Sequence, residues 1–279
     1  MLLAINGATT MKATLSQDIA AAGSAGFKAL EVWAAKLDTY LAARPNSVDT
    51  LKALFDQARV QPASFNSIEF ITFRSPEEYT RIKSRCRELC EVGQALGCNK
   101  IVVVPSPTPG GAGWDHIRDA SVDVLRDLSE VAAPYRVQLA FEFLGFGWCS
   151  VRTLGQCWEV VRRVERANVG LVIDTCHLYA GGSELGSIEQ VDPSKIFIFH
   201  INDVEERPKD TIEDAHRLLP GEGVIPLDDI LVRLKRTGYD GLCSVELFRP
   251  EYWERDPAEL AAAARATTLK VVGKYFEAD

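Results

Sequence analysis

Eight short apolar runs recur along these 279 residues, most of them followed by a stretch with helical spacing before the next begins. The runs are Leu2–Asn6, Ala29–Ala34, Ala63–Ile68, Lys100–Pro105, Val137–Leu144, Val169–Asp174, Ile196–Ile201 and Leu242–Leu247. Most are continuous rather than alternating in polarity, the pattern of parallel strands covered on both faces. Parallel strands need crossover connections, and the intervening segments carry helix start signals. Thr14-Leu-Ser-Gln17 and Ser75-Pro-Glu-Glu78 read as capping boxes, the second with proline at the first helical position. Further helices are expected over Ser47–Arg59, Asp115–Tyr135, from Thr153 onward, and over Pro226–Thr237, with an Ala-rich closing helix opened by Asp256-Pro257. Between Gly181 and Ser194 only a short helix is expected. Ser106–Gly113 and the polar stretch Asn202–Gly223 read as loops.

Count and order together predict an α/β chain folded as a single (β/α)8 TIM barrel spanning residues 1–279, an architecture that typically occupies about 250 residues. An open doubly wound sheet is disfavoured, because no G-x-G-x-x-G turn follows the first strand. A hydrophobic content of 47% is enough for a sizeable core. The formal net charge of −8 disfavours nucleic acid or an acidic membrane as a partner. Seven cysteines without a C-x-x-C pair suggest free thiols in a reducing cytoplasm. The N-terminus lacks the features of a signal peptide, and no run of about 18 apolar residues suggests a membrane span.

Glu142 stands in the middle of the apolar run Leu139–Leu144, and three later stretches, Leu171–Asp174, Ile196–His200 and Cys243–Glu246, each end in a group able to bind a metal. A carboxylate set in an apolar strand is expensive to bury without a partner. Each residue alone has a plainer reading. Glu142 could pair with an arginine, Asp174 could cap a turn, His200 could be a satisfied core histidine, and Glu246 could pair with Arg249. The four fall about one βα unit apart, at the carboxyl ends of successive strands, the catalytic face of a barrel. Together they predict a site for one divalent ion, with Mn²⁺, Zn²⁺, Co²⁺ and Mg²⁺ all compatible with three carboxylates and an imidazole. His177 could donate to a ligand oxygen or orient a neighbouring carboxylate, and Arg217 could aim its guanidinium at the pocket or lie on the surface, with Asn66, Glu31 and Trp148 as weaker pocket candidates. His116 and His216 are expected to face solvent. A single ion flanked by two glutamates suits proton transfer next to a ketone through an enediolate, one carboxylate taking the proton and another acid or base returning one.

The set Phe-Glu142-Phe, Ile-Asp174-x-x-His177, His200-Ile-x-Asp203, Arg217-x-x-Pro-Gly-x-Gly223 and Ser-Val-Glu246 resembles the xylose-isomerase-like TIM-barrel superfamily. Asn6-x-Ala-Thr-Thr10, Val169-Gly-Leu-Val, Val245-Glu-Leu-Phe-Arg-Pro-Glu-Tyr252 and the closing Lys274-Tyr-Phe are similar, more narrowly, to its inosose isomerase branch. That resemblance implies a metal-dependent interconversion of 2-keto-myo-inositol and 1-keto-D-chiro-inositol in inositol catabolism, with Glu142 and Glu246 as the catalytic acid/base pair and His177 and Arg217 contacting substrate oxygens. The implied partner is a small polyol ketone; homo-oligomerisation stays open. A ketose 3-epimerase, another sugar isomerase or an inosose dehydratase would share the metal motif. An endonuclease-IV-like nuclease would need additional histidines on the early strands, and none precedes His116.

Overall fold

The computed structural model describes residues 1–279. Its strands are β1 (Leu2–Asn6), β2 (Ala29–Trp33), β3 (Gln61–Ile68), β4 (Lys100–Val103), β5 (Gln138–Glu142), β6 (Val169–Asp174) and β7 (Ile196–Ile201). They are followed by a small pair, β8 (Asp203–Val204) and β9 (Arg217–Leu218), and finally by β10 (Leu242–Val245). All but β8 and β9 close into one parallel barrel, in the order β1-β10-β7-β6-β5-β4-β3-β2. The helices are α1 (Leu15–Ala25), α2 (Ala34–Ala42), α3 (Val48–Ala58), α4 (Pro76–Leu96) and α5 (Trp114–Ala132). Beyond them come α6 (Leu154–Val164), α7 (Thr175–Ala180), α8 (Leu227–Thr237), α9 (Pro250–Trp253) and α10 (Pro257–Val272). The predicted (β/α)8 barrel is therefore the observed fold.

Local chemistry accounts for the helix starts. Thr14, Ser47, Ser75 and Thr153 each accept from the backbone N–H three residues on, and the side chain at that position returns a bond to the cap. Losing such a cap costs about 1 kcal/mol. Helix α6 shows how the outer ring is held: Leu154, Cys157, Val160, Val161 and Val164 are buried at helical spacing, while Arg162 and Arg163 remain outside.

Two apolar regions follow from the strand period of two. Residues such as Leu3, Leu30, Phe141, Ile173 and Phe199 point outward into the layer shared with the helices. The alternate residues Ala4, Ala29, Val102, Ala140, Val172, Ile198 and Leu242 fill the barrel interior. Small side chains dominate its β1–β2 side, where Ala4 and Ala29 pair in register.

Several expectations need correction. Helix α2 lay unseen in the sequence because its cap, Trp33, offers no side-chain acceptor. After β6 the helix begins at once, at Thr175, and Leu185–Gln190 and Pro193–Lys195 are only 3₁₀ turns. Strands β5 and β10 stop at Glu142 and Val245, short of the apolar residues Leu144 and Leu247. The stretch Asn202–Gly223 is not featureless, since β8 and β9 pair within it. All seven cysteines are buried and unpaired, and no helix is long and apolar enough to cross a membrane.

Candidate metal centre

The period that builds the interior also builds the site. Two residues beyond Ala4, Ala29, Ala140, Val172 and Ile198, on the same inward face, stand Asn6, Glu31, Glu142, Asp174 and His200. Four residues beyond Leu242 is Glu246. Register aligns them: Asp174 pairs with His200, and Asn6 with Glu31. The apolar layer thus gives way to a polar one at the carboxyl ends of the strands.

Glu142, Asp174, His200 and Glu246 are all buried, and each offers one ligand atom within 4.8 Å of the others. His200 Nδ1 lies 3.0 Å from Glu142 Oε1, 3.3 Å from Glu246 Oε2 and 3.8 Å from Asp174 Oδ2. Ligand bonds of 2.0–2.2 Å give a tetrahedral edge of about 3.4 Å, in the middle of that range. One ring N–H could satisfy only one of three carboxylates, whereas a dication satisfies all of them. The donor set therefore fits a divalent metal.

The supporting contacts are dense. His200 Nε2 lies 2.8 Å from Glu31 Oε1. Asn6 Nδ2 donates to Glu246 Oε1 at 3.0 Å and to Glu31 Oε1 at 3.3 Å, and Asn66 Nδ2 donates to Glu246 Oε1 at 2.8 Å. Asp174 divides its oxygens. Oδ1 caps α7 by accepting from His177 N–H at 2.8 Å; Oδ2 accepts from Asn202 Nδ2 at 2.9 Å and from Arg217 Nη1 at 2.7 Å. The turn-capping role is therefore real, and it leaves one oxygen turned to the cluster. Arg217, carried by β9, also reaches Glu246 Oε2 at 3.2 Å, Asp214 Oδ1 at 2.9 Å and His177 Nε2 at 3.1 Å. Arg217 is the one guanidinium paired with this group of four clustered carboxyls.

Burial and mutual repulsion show in the titration behaviour. Burial pushes the Glu142 carboxyl up to about 8, with Glu246 and Asp174 adding to it against the pull of His200. Asp174 is held at about 2, because the nearby Arg217 and histidines outweigh its desolvation. Burial would lower His200, but Glu246, Glu31 and Glu142 hold it well above the usual imidazole value. Burial drives His177 down to about 4. Its Nδ1 has no partner.

Above the cluster opens a cavity of about 160 Å³. Glu142, Glu246, His177, Arg217 and Asn66 form its polar side. Trp33, Phe70, Trp148 and Phe248 form its aromatic side. Trp148 is 45% exposed and stands at the rim, edge-on to Phe70 with ring centroids 6.0 Å apart. A larger cleft of about 600 Å³ beside α8 and α10 is remote from the cluster and holds none of its residues.

Every site residue singled out in the sequence thus lies in or around one pocket, although the Asn66 amide is already engaged by Glu246. Glu31 lies beneath the pocket rather than in its lining. Arg249 pairs with Glu205 and Glu251 instead of Glu246. His116 is exposed, as expected; His216 is half-buried, its Nδ1 accepting from Glu213 N–H. Sequence reasoning missed Asn6, Asn202 and Asp214. An amide at a strand end carries no chemical signature of its own, and only its period-two position relative to Ala4 marks Asn6.

The xylose isomerase-like TIM barrel family model matches residues 19–270. Inosose isomerases of Halalkalibacterium halodurans and Bacillus subtilis are each 38% identical to this chain over 278 residues, covering 99% of it and 98% and 99% of themselves. Among solved structures, the IolI protein with a bound zinc atom superposes with a TM-score of 0.96 at 38% identity, covering 99% of this chain and all of that one. A D-psicose 3-epimerase from Clostridium cellulolyticum, 19% identical with a TM-score of 0.79 and coverage of 98% and 99%, shares the fold.

Proposed function

This chain belongs to the xylose isomerase-like TIM-barrel family, and on that premise we propose that it is an inosose isomerase acting through Glu142, Asp174, His200 and Glu246. The observation that carries the reading is the pair Glu142 and Glu246. They sit on either side of His200 Nδ1 at the floor of the cavity. The substrate is a cyclic polyol ketone such as 2-keto-myo-inositol, and the product its 1-keto-D-chiro isomer.

Glu142, Asp174, His200 and Glu246 would hold a divalent cation, which would supply the Lewis acidity that makes a carbon beside a ketone acidic. The protein's own groups then move the protons. One glutamate removes the C–H proton of the hydroxyl-bearing carbon, whose electron pair becomes the C=C bond of the enediolate as the carbonyl pair moves to oxygen. A proton returns to the former carbonyl carbon, and the hydroxyl proton passes between the two oxygens, so nothing is gained or lost. Glu246 accepts from two amides and from Arg217, which fix the direction of its carboxylate oxygens and favour it as the base. Glu142 has fewer donors and is the better proton carrier. His177 and Arg217 present nitrogens to substrate oxygens, and Asn66 and Trp148 border the ring.

Full-length similarity to two inosose isomerases supports a cyclic substrate over an extended ketose. The related reading, a ketose 3-epimerase, uses the same cluster on an open chain. Turnover of 2-keto-myo-inositol against a panel of ketohexoses separates the two. In D₂O the inosose reaction should place deuterium on the carbons flanking the exchanged oxygens. Faster turnover of any ketohexose would reassign the substrate.

A further inference from the structure

We propose that Glu31 is a positioning residue that fixes the tautomer and ring plane of His200, so that Nδ1 rather than Nε2 faces the ligand cluster. The inference rests on reading that cluster as a metal centre. Glu31 is fully buried at the middle of β2, on the far side of the imidazole from Glu142 and Glu246. Its Oε1 lies 2.8 Å from His200 Nε2. An ionised carboxylate can only accept, so the shared hydrogen belongs to Nε2. A neutral imidazole carries one ring hydrogen, and with that one on Nε2 the Nδ1 lone pair is left for the cation. If Glu31 were absent, nothing on that side would distinguish the two tautomers.

The carboxylate is itself held. Ser64 Oγ donates to Oε2, and Asn6 Nδ2 donates to Oε1 at 3.3 Å. Because the same Asn6 amide also holds Glu246 Oε1, the orientation of His200 is tied to that of a second ligand. Glu31 is outside the lining of the cavity, so it has no route to substrate. A buried carboxylate with no partner but a histidine and two neutral donors is a poor stabilising device in its own right. Its geometry is that of a carboxylate behind a metal-binding histidine, where it raises the basicity of the ligand nitrogen.

The test uses the full chain, with zinc and cobalt as probes. With only four histidines present, ring-nitrogen NMR can assign each tautomer. In the zinc-loaded wild type, His200 should carry its hydrogen on Nε2. Glu31→Gln should weaken zinc binding by roughly 10- to 100-fold in competition with a chromophoric chelator. It should also alter the visible spectrum of the cobalt form. Glu31→Ala should add a loss of the single tautomer; if it fails to fold, Glu31→Gln alone decides the matter. Unchanged zinc affinity and cobalt spectrum in Glu31→Gln, with only a lower melting temperature, would reduce Glu31 to a structural residue and overturn the inference. A wild type that binds neither zinc nor cobalt would instead overturn the metal-centre reading beneath it.

Discussion

Arg217 places Nη1 2.7 Å from Asp174 Oδ2, so a carboxylate of the cluster is also half of a buried ion pair. The same nitrogen reaches Glu246, and the rest of the fork reaches Asp214 and His177. Removing a partner from such a buried set leaves charges without compensation. Arg217→Met should therefore lower stability by about 3–5 kcal/mol, measured by urea unfolding. Arg217→Lys keeps the charge but not the fork. It should stay folded and bind zinc while losing at least about tenfold in kcat/KM. A lysine variant with wild-type turnover would remove Arg217 from substrate binding.

Glu246→Gln tests the proposed base. The glutamine carbonyl can still accept from Asn6 and Asn66, but its NH₂ then faces the Arg217 guanidinium, which already donates. Isomerisation should fall by at least about 10³-fold while the circular dichroism and melting profile stay native. Near wild-type rates would assign the proton transfer elsewhere.

Much of this was legible in the sequence, and for physical reasons. Parallel strands buried on both faces leave long apolar runs, and Thr14, Ser75 and Thr153 announce their helices through side-chain caps. Glu142, Asp174, His200 and Glu246 were conspicuous because each stands in or ends such a run. Helix α2 was not legible, because Trp33 gives no capping signal. Nor was the role of Glu31, which stands in β2 much as Glu142 stands in β5. Only the closure of the barrel, which sets β2 three strands from β7 by way of β1 and β10, shows that Glu31 faces the back of His200.

His177 makes a prediction about pH. Its usual value when unfolded is about 6.5, and burial lowers it to about 4 in the fold. The unfolded chain therefore binds a proton more readily than the native one between those values, and stability falls as pH drops through that window. The contribution is complete above about pH 6.5 and amounts to roughly 3 kcal/mol, lost by about pH 4. His177→Gln should flatten the stability profile between pH 7 and pH 4 by about that amount. Equal slopes for the variant and the wild type would contradict the buried, neutral state.

Metal removal should abolish turnover, with recovery on adding back zinc, manganese or cobalt. A bound cation also stabilises by mass action, about 2.7 kcal/mol when its free concentration is 100 times Kd. For a chain of this size each kcal/mol is worth roughly 2–4 °C, so chelation should lower Tm by several degrees. Full activity after exhaustive chelation, with no shift in Tm, would leave the four-residue cluster without its proposed ion.

Gly145 and Gly147 lie two residues apart in the turn after β5, yet they should respond oppositely to a methyl group. A Cβ on Gly145 would come within 2.5 Å of both His177 O and Gly181 N, backbone atoms of α7 and its cap. Relief requires α7 to shift, and α7 carries His177 while its cap, Asp174, is a proposed metal ligand. A Cβ on Gly147 would meet nothing within 4 Å, at an exposed position. Gly147→Ala should therefore be neutral or stabilising by up to about 1 kcal/mol, through loss of unfolded-chain freedom. Gly145→Ala should lose stability by roughly 1–3 kcal/mol, the range for overpacking. Because the displacement is local to the pocket, its KM for the inosose should rise well above that of Gly147→Ala. Matching kinetics for the two variants would mean that α7 does not have to be held against the β5 turn for His177 to meet the substrate.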